Sequence, residues 1–163
     1  AMATFKFKGL DEYTAQLESL SNQSDEYIGK AVFEGAKVVA DAVKQSIGEI
    51  PVDNTVYKKD GESRTGLKSV QIEGLRDSFG ISTLQEGNND YQNVKIGFSG
   101  YNKIKSKRWQ NGQPNAMVAR SINSGTSFMR KYAFMDNATR SKKSDCEDAM
   151  KNSLEESIAD LTK

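Results

Sequence analysis

The chain has 163 residues, 36% of them hydrophobic, with 23 Lys plus Arg against 22 Asp plus Glu, one cysteine and no histidine. That length suits a single domain over 1–163 with a real core, and the near-neutral balance supplies no global field to draw it to nucleic acid or an anionic membrane. With no histidine and only Cys146, Ser-His-Asp and Cys-His catalysis, an internal disulfide and zinc sites that need two or more Cys or His ligands are all excluded within one chain.

Ala1 ahead of Met2 reads as a cloning remnant. Thr4 to Lys8 alternates Phe5 and Phe7 with lysines, as a half-buried strand should. Leu10, Tyr13, Leu17 and Leu20 then share a helical face, which predicts a short N-terminal helix with Asp11 and Glu12 in its first turn. After a polar break at Ser21 to Ser24, a long helix is expected in which Ile28, Val32, Gly35, Val39, Val43 and Ile47 recur at the 3.6-residue period. Gly29, Gly35 and Ala36 mark a close approach in that helix, either by a sheet beneath it or by a neighbouring subunit. Asp25 and Glu26 fall in its first turn, where the helix dipole favours carboxylates, and Glu155-Glu156 lie off an apolar stripe, so neither pair reads as an acid–base or magnesium site.

From Gly48 to Arg64 periodicity fades among Pro51, Asp53, Asn54, Lys58, Lys59, Asp60 and Gly61, which reads as a long exposed loop over 48–64. Two strands follow, Phe79 to Gln85 and Tyr91 to Phe98, joined as a hairpin by the turn formers Glu86 to Asp90. Val94, Ile96 and Phe98 alternate with Asn93, Lys95 and Gly97, giving the second strand one buried face.

A second long exposed loop, 101–113, reads YNKIKSKRWQNGQ. Lys103, Lys105, Lys107 and Arg108 precede the chain's single tryptophan, Trp109. This mixture suits contact with a phosphate backbone or an Arg and Trp anchor at a protein interface. It equally suits a solvated loop whose Trp109 folds back on the core. A short helical run (Met117, Val118, Ile122) then stops at Asn123-Ser124-Gly125, and an aromatic arm with Phe128, Tyr132 and Phe134 leads into a last helix. Ser144-Asp145-Cys146-Glu147 has the form of a capping box, and Cys146, Met150, Leu154, Ile158 and Leu161 run down one face behind it, with Cys146 acting as a small hydrophobe. The order of elements predicts an α+β fold, an antiparallel sheet of about four strands packed against one long central helix, with a short N-terminal helix and a long C-terminal helix.

Three blocks, in order, resemble a bacteriophage family of head–tail joining, or tail completion, proteins. The first is Phe5-Lys6-Phe7-Lys8-Gly9-Leu10 with Tyr13 and Leu17, similar to the family's first strand and helix. The second is Gly74-Leu75-Arg76-Asp77-Ser78, which resembles a "G-x-L-r-x-S" turn into the sheet. Arg64-Thr65-Gly66-Leu67 resembles a "TG-x-L" entry and competes with Gly74-Leu75 for that assignment. The third comprises Val118-Ala119, Gly125-Thr126-Ser127 and Ala133-Phe134-Met135 with Ala138. There Asn123 and Ser124 stand where the family usually has Glu and an aromatic, and Tyr132-Ala133 lacks the usual proline before Phe134.

The resemblance implies a structural tail or neck component of a phage or prophage virion, made in the host cytoplasm and acting by assembly rather than as an enzyme. Its partners would be copies of itself, as a ring that is hexameric in the assembled neck, together with the tail tube and head connector proteins. Double-stranded DNA would pass through such a ring, with Lys103, Lys105, Lys107, Arg108 and Trp109 facing the lumen or a partner. No cofactor, metal or membrane is expected: the chain has no run long and apolar enough for a span, no signal-peptide pattern and no glycine-rich phosphate loop. The alternative is a small nucleic-acid-binding module built on 103–109.

Overall fold

The computed structural model describes residues 10–59, 61–86 and 92–161; the strand expected over 4–8 and most of the turn between the central strands lie outside them. No proline interrupts the chain before Pro51, and a single helix, α1, runs from Leu10 to Gly48 over 39 residues. The expected break at Ser21 to Ser24 does not occur. Ser24 Oγ donates to the Ser21 carbonyl at 2.9 Å and the Tyr27 hydroxyl donates to Gln23, so polar side chains are satisfied along the helix instead of stopping it.

The stretch expected to be loop from 48 to 64 contains a hairpin. Strand β1 (Val56–Lys59) pairs antiparallel with β2 (Glu62–Thr65), in a register that sets Val56 against Thr65 and Lys59 against Glu62. The two intervening residues are Asp60-Gly61, and Gly61 takes φ 77°, the left-handed backbone that a tight hairpin turn demands. Helix α2 (Ser69–Ser78) follows, so Gly74 to Ser78 form its last turns rather than a turn into the sheet.

The central strands are shorter than expected and split. β3 (Phe79–Ile81) pairs with β6 (Ile96–Phe98), and β4 (Gln85–Glu86) with β5 (Gln92–Asn93), both antiparallel. The break falls at Ser82, whose hydroxyl accepts the Lys95 N–H at 2.9 Å, a bond the ladder would otherwise give to a carbonyl. The described strands thus form three two-stranded sheets in place of one sheet of four.

Helix α3 (Asn115–Ser124) ends, as expected, at Gly125, where φ is 77° and the N–H donates to the Ser121 carbonyl at 2.8 Å. Helix α4 (Phe134–Leu161) then runs unbroken, which places Ser144 to Glu147 in mid-helix and makes the expected capping box a helix interior. The start of α4 is capped from outside. Asn123 Oδ1 accepts the N–H groups of Met135 and Asp136 at 3.0 and 3.2 Å.

Helices α1 and α4 pack along each other, antiparallel, so the main partner of α1 is a helix and not the sheet. A Cβ on Gly35 would lie 2.5 Å from Met150 Cγ and 3.0 Å from Cys146 Sγ, while one on Gly29 would lie 2.6 Å from Leu84 Cδ2. The close approach expected at these glycines is therefore made within the chain, by α4 at Gly35 and by the segment before β4 at Gly29. Ser153 and Ser157 are the buried residues in the second half of α4, and the Ser157 hydroxyl donates to the Ser153 carbonyl at 2.9 Å. Cys146, Met150, Leu154 and Leu161 are half-buried beside them, and Ile158 is exposed.

The core gathers where the C-terminal half of α1 meets α2, α3 and the start of α4. Ile47, Leu75, Val118, Ile122 and Phe134 are its most enclosed side chains. Truncation of such a residue to alanine costs about 2–5 kcal/mol. Phe98 joins the strands to this core, with its ring centroid 5.3 Å from Phe79 and 6.2 Å from Phe134.

Candidate functional site

The basic loop leaves β6 through Gly100, at φ 63°, and its base is built from amides. Tyr101 bridges to Pro114, and the Asn102 N–H donates to the Gln113 carbonyl at 2.9 Å. The buried Asn102 side chain accepts the Ile104 N–H at 2.9 Å, an Asx turn, and also accepts the Gln113 N–H at 3.3 Å. Gln113 Oε1 in turn receives Gln71 Nε2 at 2.8 Å and Asn102 Nδ2 at 3.3 Å. Gln71 Oε1 accepts the Lys68 N–H at the start of α2, so one side chain caps a helix and holds the loop.

Two glycines make room for this base. A Cβ on Gly74 would meet Asn115 Oδ1 at 2.7 Å and Asn102 Cβ at 2.8 Å; one on Gly112, at φ 105°, would meet the Asn102 carbonyl oxygen at 1.9 Å. Asn115 Nδ2 donates to the Ser99 carbonyl at 2.9 Å and completes the anchor.

On that base the loop projects its charges. Lys103, Lys105, Lys107 and Arg108 are all exposed. Ser106 and Trp109 exchange backbone hydrogen bonds at 3.1 and 3.0 Å, which closes the tip into a tight turn. Trp109 is half-buried, and the Arg108 guanidinium lies over its ring, 5.1 Å from the centroid. The loop is thus a held platform with cations on its outer side. At its root Glu73 and Asp77 of α2 line a cleft with Lys103.

A second cleft, of about 580 Å³, lies between the β1–β2 hairpin and the arm after α3. Its walls include Ile50, Leu67, Ile122 and Met129, with Asp53, Tyr57 and Arg130 as polar members. Asp53 accepts the Thr55 N–H and the Tyr57 hydroxyl, both at 2.9 Å. Thr55 first and Tyr57 after it hold the Asp53 carboxyl below the usual carboxylate range, and the Asp53 bond pushes the Tyr57 phenol up. Gly66 allows this packing, since a Cβ there would lie 2.6 Å from Asp53 Oδ2. Sequence reading missed both the amide anchor and this cleft; the turn-forming Asp53-Asn54 and the Asp60-Gly61 pair were the available signals.

Among the described residues no three metal-ligating side chains come together, and no helix is long and apolar enough to cross a membrane. The family model described as "Bacteriophage HK97-gp10, putative tail-component" matches residues 11–103, from the first turn of α1 to the first lysine of the basic loop. No curated protein and no solved structure matches the chain.

Proposed function

From the membership of this chain in the HK97-gp10-like family of bacteriophage tail components, we propose that it is a head–tail joining piece of the virion, acting by assembly into a ring between head connector and tail tube. The family match over 11–103 carries this reading, because it takes in nearly all of α1, the strands β1 to β6 and α2. The geometry is compatible with a passive mechanical role. A rigid pair of long helices backs the core, and the projecting loop is fixed at its base by side-chain amides, so partner contact would not require it to order from a flexible state.

The cleft chemistry supports the same reading. Asp53, held ionised, and Tyr57, held protonated, stabilise each other and the base of the hairpin, an arrangement suited to holding an arm in place.

The test is co-assembly. Mixed with the tail tube and head connector proteins of the same phage or prophage, the chain should enter a complex with one of them under assembly conditions; failure with both removes the joining role. A second reading, a nucleic-acid-binding module using Lys103 to Trp109, is favoured by the exposure of four cations on one anchored loop. It predicts duplex affinity that falls steeply with salt, whereas a ring through which DNA slides should hold DNA weakly at every salt concentration.

A further inference from the structure

Although the net charge is +1, the charges are sorted along the chain. Residues 10–29 contain five carboxylates and no lysine or arginine, whereas residues 92–135 contain eight basic residues and no carboxylate side chain. Strand β5 touches α1 at Gly29, but the cations of the 101–113 loop and the carboxylates of the first turns of α1 lie far apart. The basic loop is anchored on α2, next to the core formed around Val43 and Ile47 near the C-terminal end of α1. Glu18 lies about 38 Å up the same helix from Val43 at 1.5 Å per residue. The two surfaces cannot meet within one protomer.

The acidic end also carries an apolar face without a partner among the described residues. Leu17 precedes Gly35 by 18 residues, five full helical turns, and therefore continues the face that α4 covers at Gly35. Because α4 runs antiparallel with Met150 level with Gly35, its last helical residue, Leu161, comes level with about Ser24. The α4-facing stripe thus runs on past the end of α4, and Leu17 is 47% exposed. Ile28 on the same stripe is 44% exposed, and the exposed carboxylates Glu18 and Asp25 lie along one side of it. The basic end presents the complementary set, with the exposed Lys105, Lys107 and Arg108 on the same loop as Tyr101, itself 61% exposed. The ion pairs among the described residues join neighbours within α1 or within α4, and none joins these two surfaces.

We infer that the occupant of the α1 face is a second copy of this chain: the N-terminal turns of α1 in one protomer receive the 101–113 loop of the next, with Glu18 and Asp25 facing the loop cations and Leu17 facing its aromatics. Such a contact uses two different patches and so is head-to-tail, the kind that propagates and closes into a ring. This inference rests on the ring reading above and names its interface.

Two charge-reversal variants test it, Glu18→Lys/Asp25→Lys/Glu26→Lys and Lys103→Glu/Lys105→Glu/Lys107→Glu, all at exposed positions and checked for unchanged helicity. Wild-type protein should associate at low ionic strength and return to 18.0 kDa as salt rises. Each variant alone should remain monomeric, and an equimolar mixture should reassemble, since every junction then pairs opposite charges. Wild type and both variants assembling alike would overturn this interface while leaving ring assembly standing. A mixture that stays monomeric would overturn head-to-tail pairing. Reversal of the loop that abolishes duplex DNA binding while leaving the wild-type mass unchanged would assign the loop to nucleic acid instead. Wild-type protein that stays monomeric at low salt even with the tail tube protein present would remove both the interface and the ring.

Discussion

Asn123 Oδ1 sits 3.0 Å from the Met135 backbone nitrogen, so the last turn of α3 caps the first turn of α4 across the nine-residue connection, 125–133, between them. The Asp136 N–H shares the same acceptor at 3.2 Å, and Asn123 is buried. One short side chain therefore fixes the corner that the Gly125-Thr126-Ser127 arm turns around. Asn123→Ala should lower unfolding free energy by about 1–2 kcal/mol in urea titrations, and Asn123→Asp, which keeps an acceptor at the positive end of α4, should lose less.

Glycine at position 35 is a packing requirement. Alanine is favoured over glycine in a helix by about 1 kcal/mol, yet its methyl would press on Met150 Cγ at 2.5 Å in the seam between α1 and α4. Gly35→Ala should therefore lower the melting temperature despite its higher propensity, and Met150→Ala added to it should cost less than Met150→Ala in wild type. Gly48→Ala, with nothing within 4 Å of the new methyl, is the control and should be close to neutral.

The basic loop depends on Gly112. At φ 105°, with the Asn102 carbonyl oxygen 1.9 Å from any Cβ, no side chain fits without moving the loop base. Gly112→Ala should leave the α1–α4 pair folded by circular dichroism but hasten tryptic cleavage at Lys105, Lys107 and Arg108.

Acid should weaken the cleft before the core. The folded-state pKa of Asp53 is depressed by its bonds to Thr55 and Tyr57, so its contribution is fully present above the unfolded carboxylate pKa and is lost as pH falls through the lower folded value. Wild-type stability should drop across that acidic window, and Asp53→Asn should flatten that limb of the pH profile while lowering stability at neutral pH.

Burial and the neighbouring Glu147 carboxylate push the Cys146 thiol up. Its reaction with a thiol reagent at mildly alkaline pH should be slower than that of a free cysteine and should approach it on unfolding in denaturant.

Helices were the most legible part of the sequence, because the periodic Val39, Val43 and Ile47 stripe and the Gly125 stop each report local physics. What it concealed were bonds between distant residues. The α4 cap comes from Asn123, so Ser144 to Glu147 looked like a beginning although they lie in mid-helix. Ser82 cuts the central ladder through a hydroxyl whose partner, Lys95, lies 13 residues away. Asp60-Gly61 was a local hairpin signal, obscured by the polar residues around it. Lys103 to Trp109 stood out by composition, but the amides that hold the loop, buried at Gln71, Asn102 and Asn115 and half-buried at Gln113, had no pattern to betray them.

The most direct measurement is the mass of the purified protein by light scattering, alone and after mixing with the tail tube protein proposed as its partner. Ring assembly predicts particles containing several 18.0 kDa subunits, formed either spontaneously or on addition of that partner. A protein that stays at the mass of one chain in both conditions would contradict it.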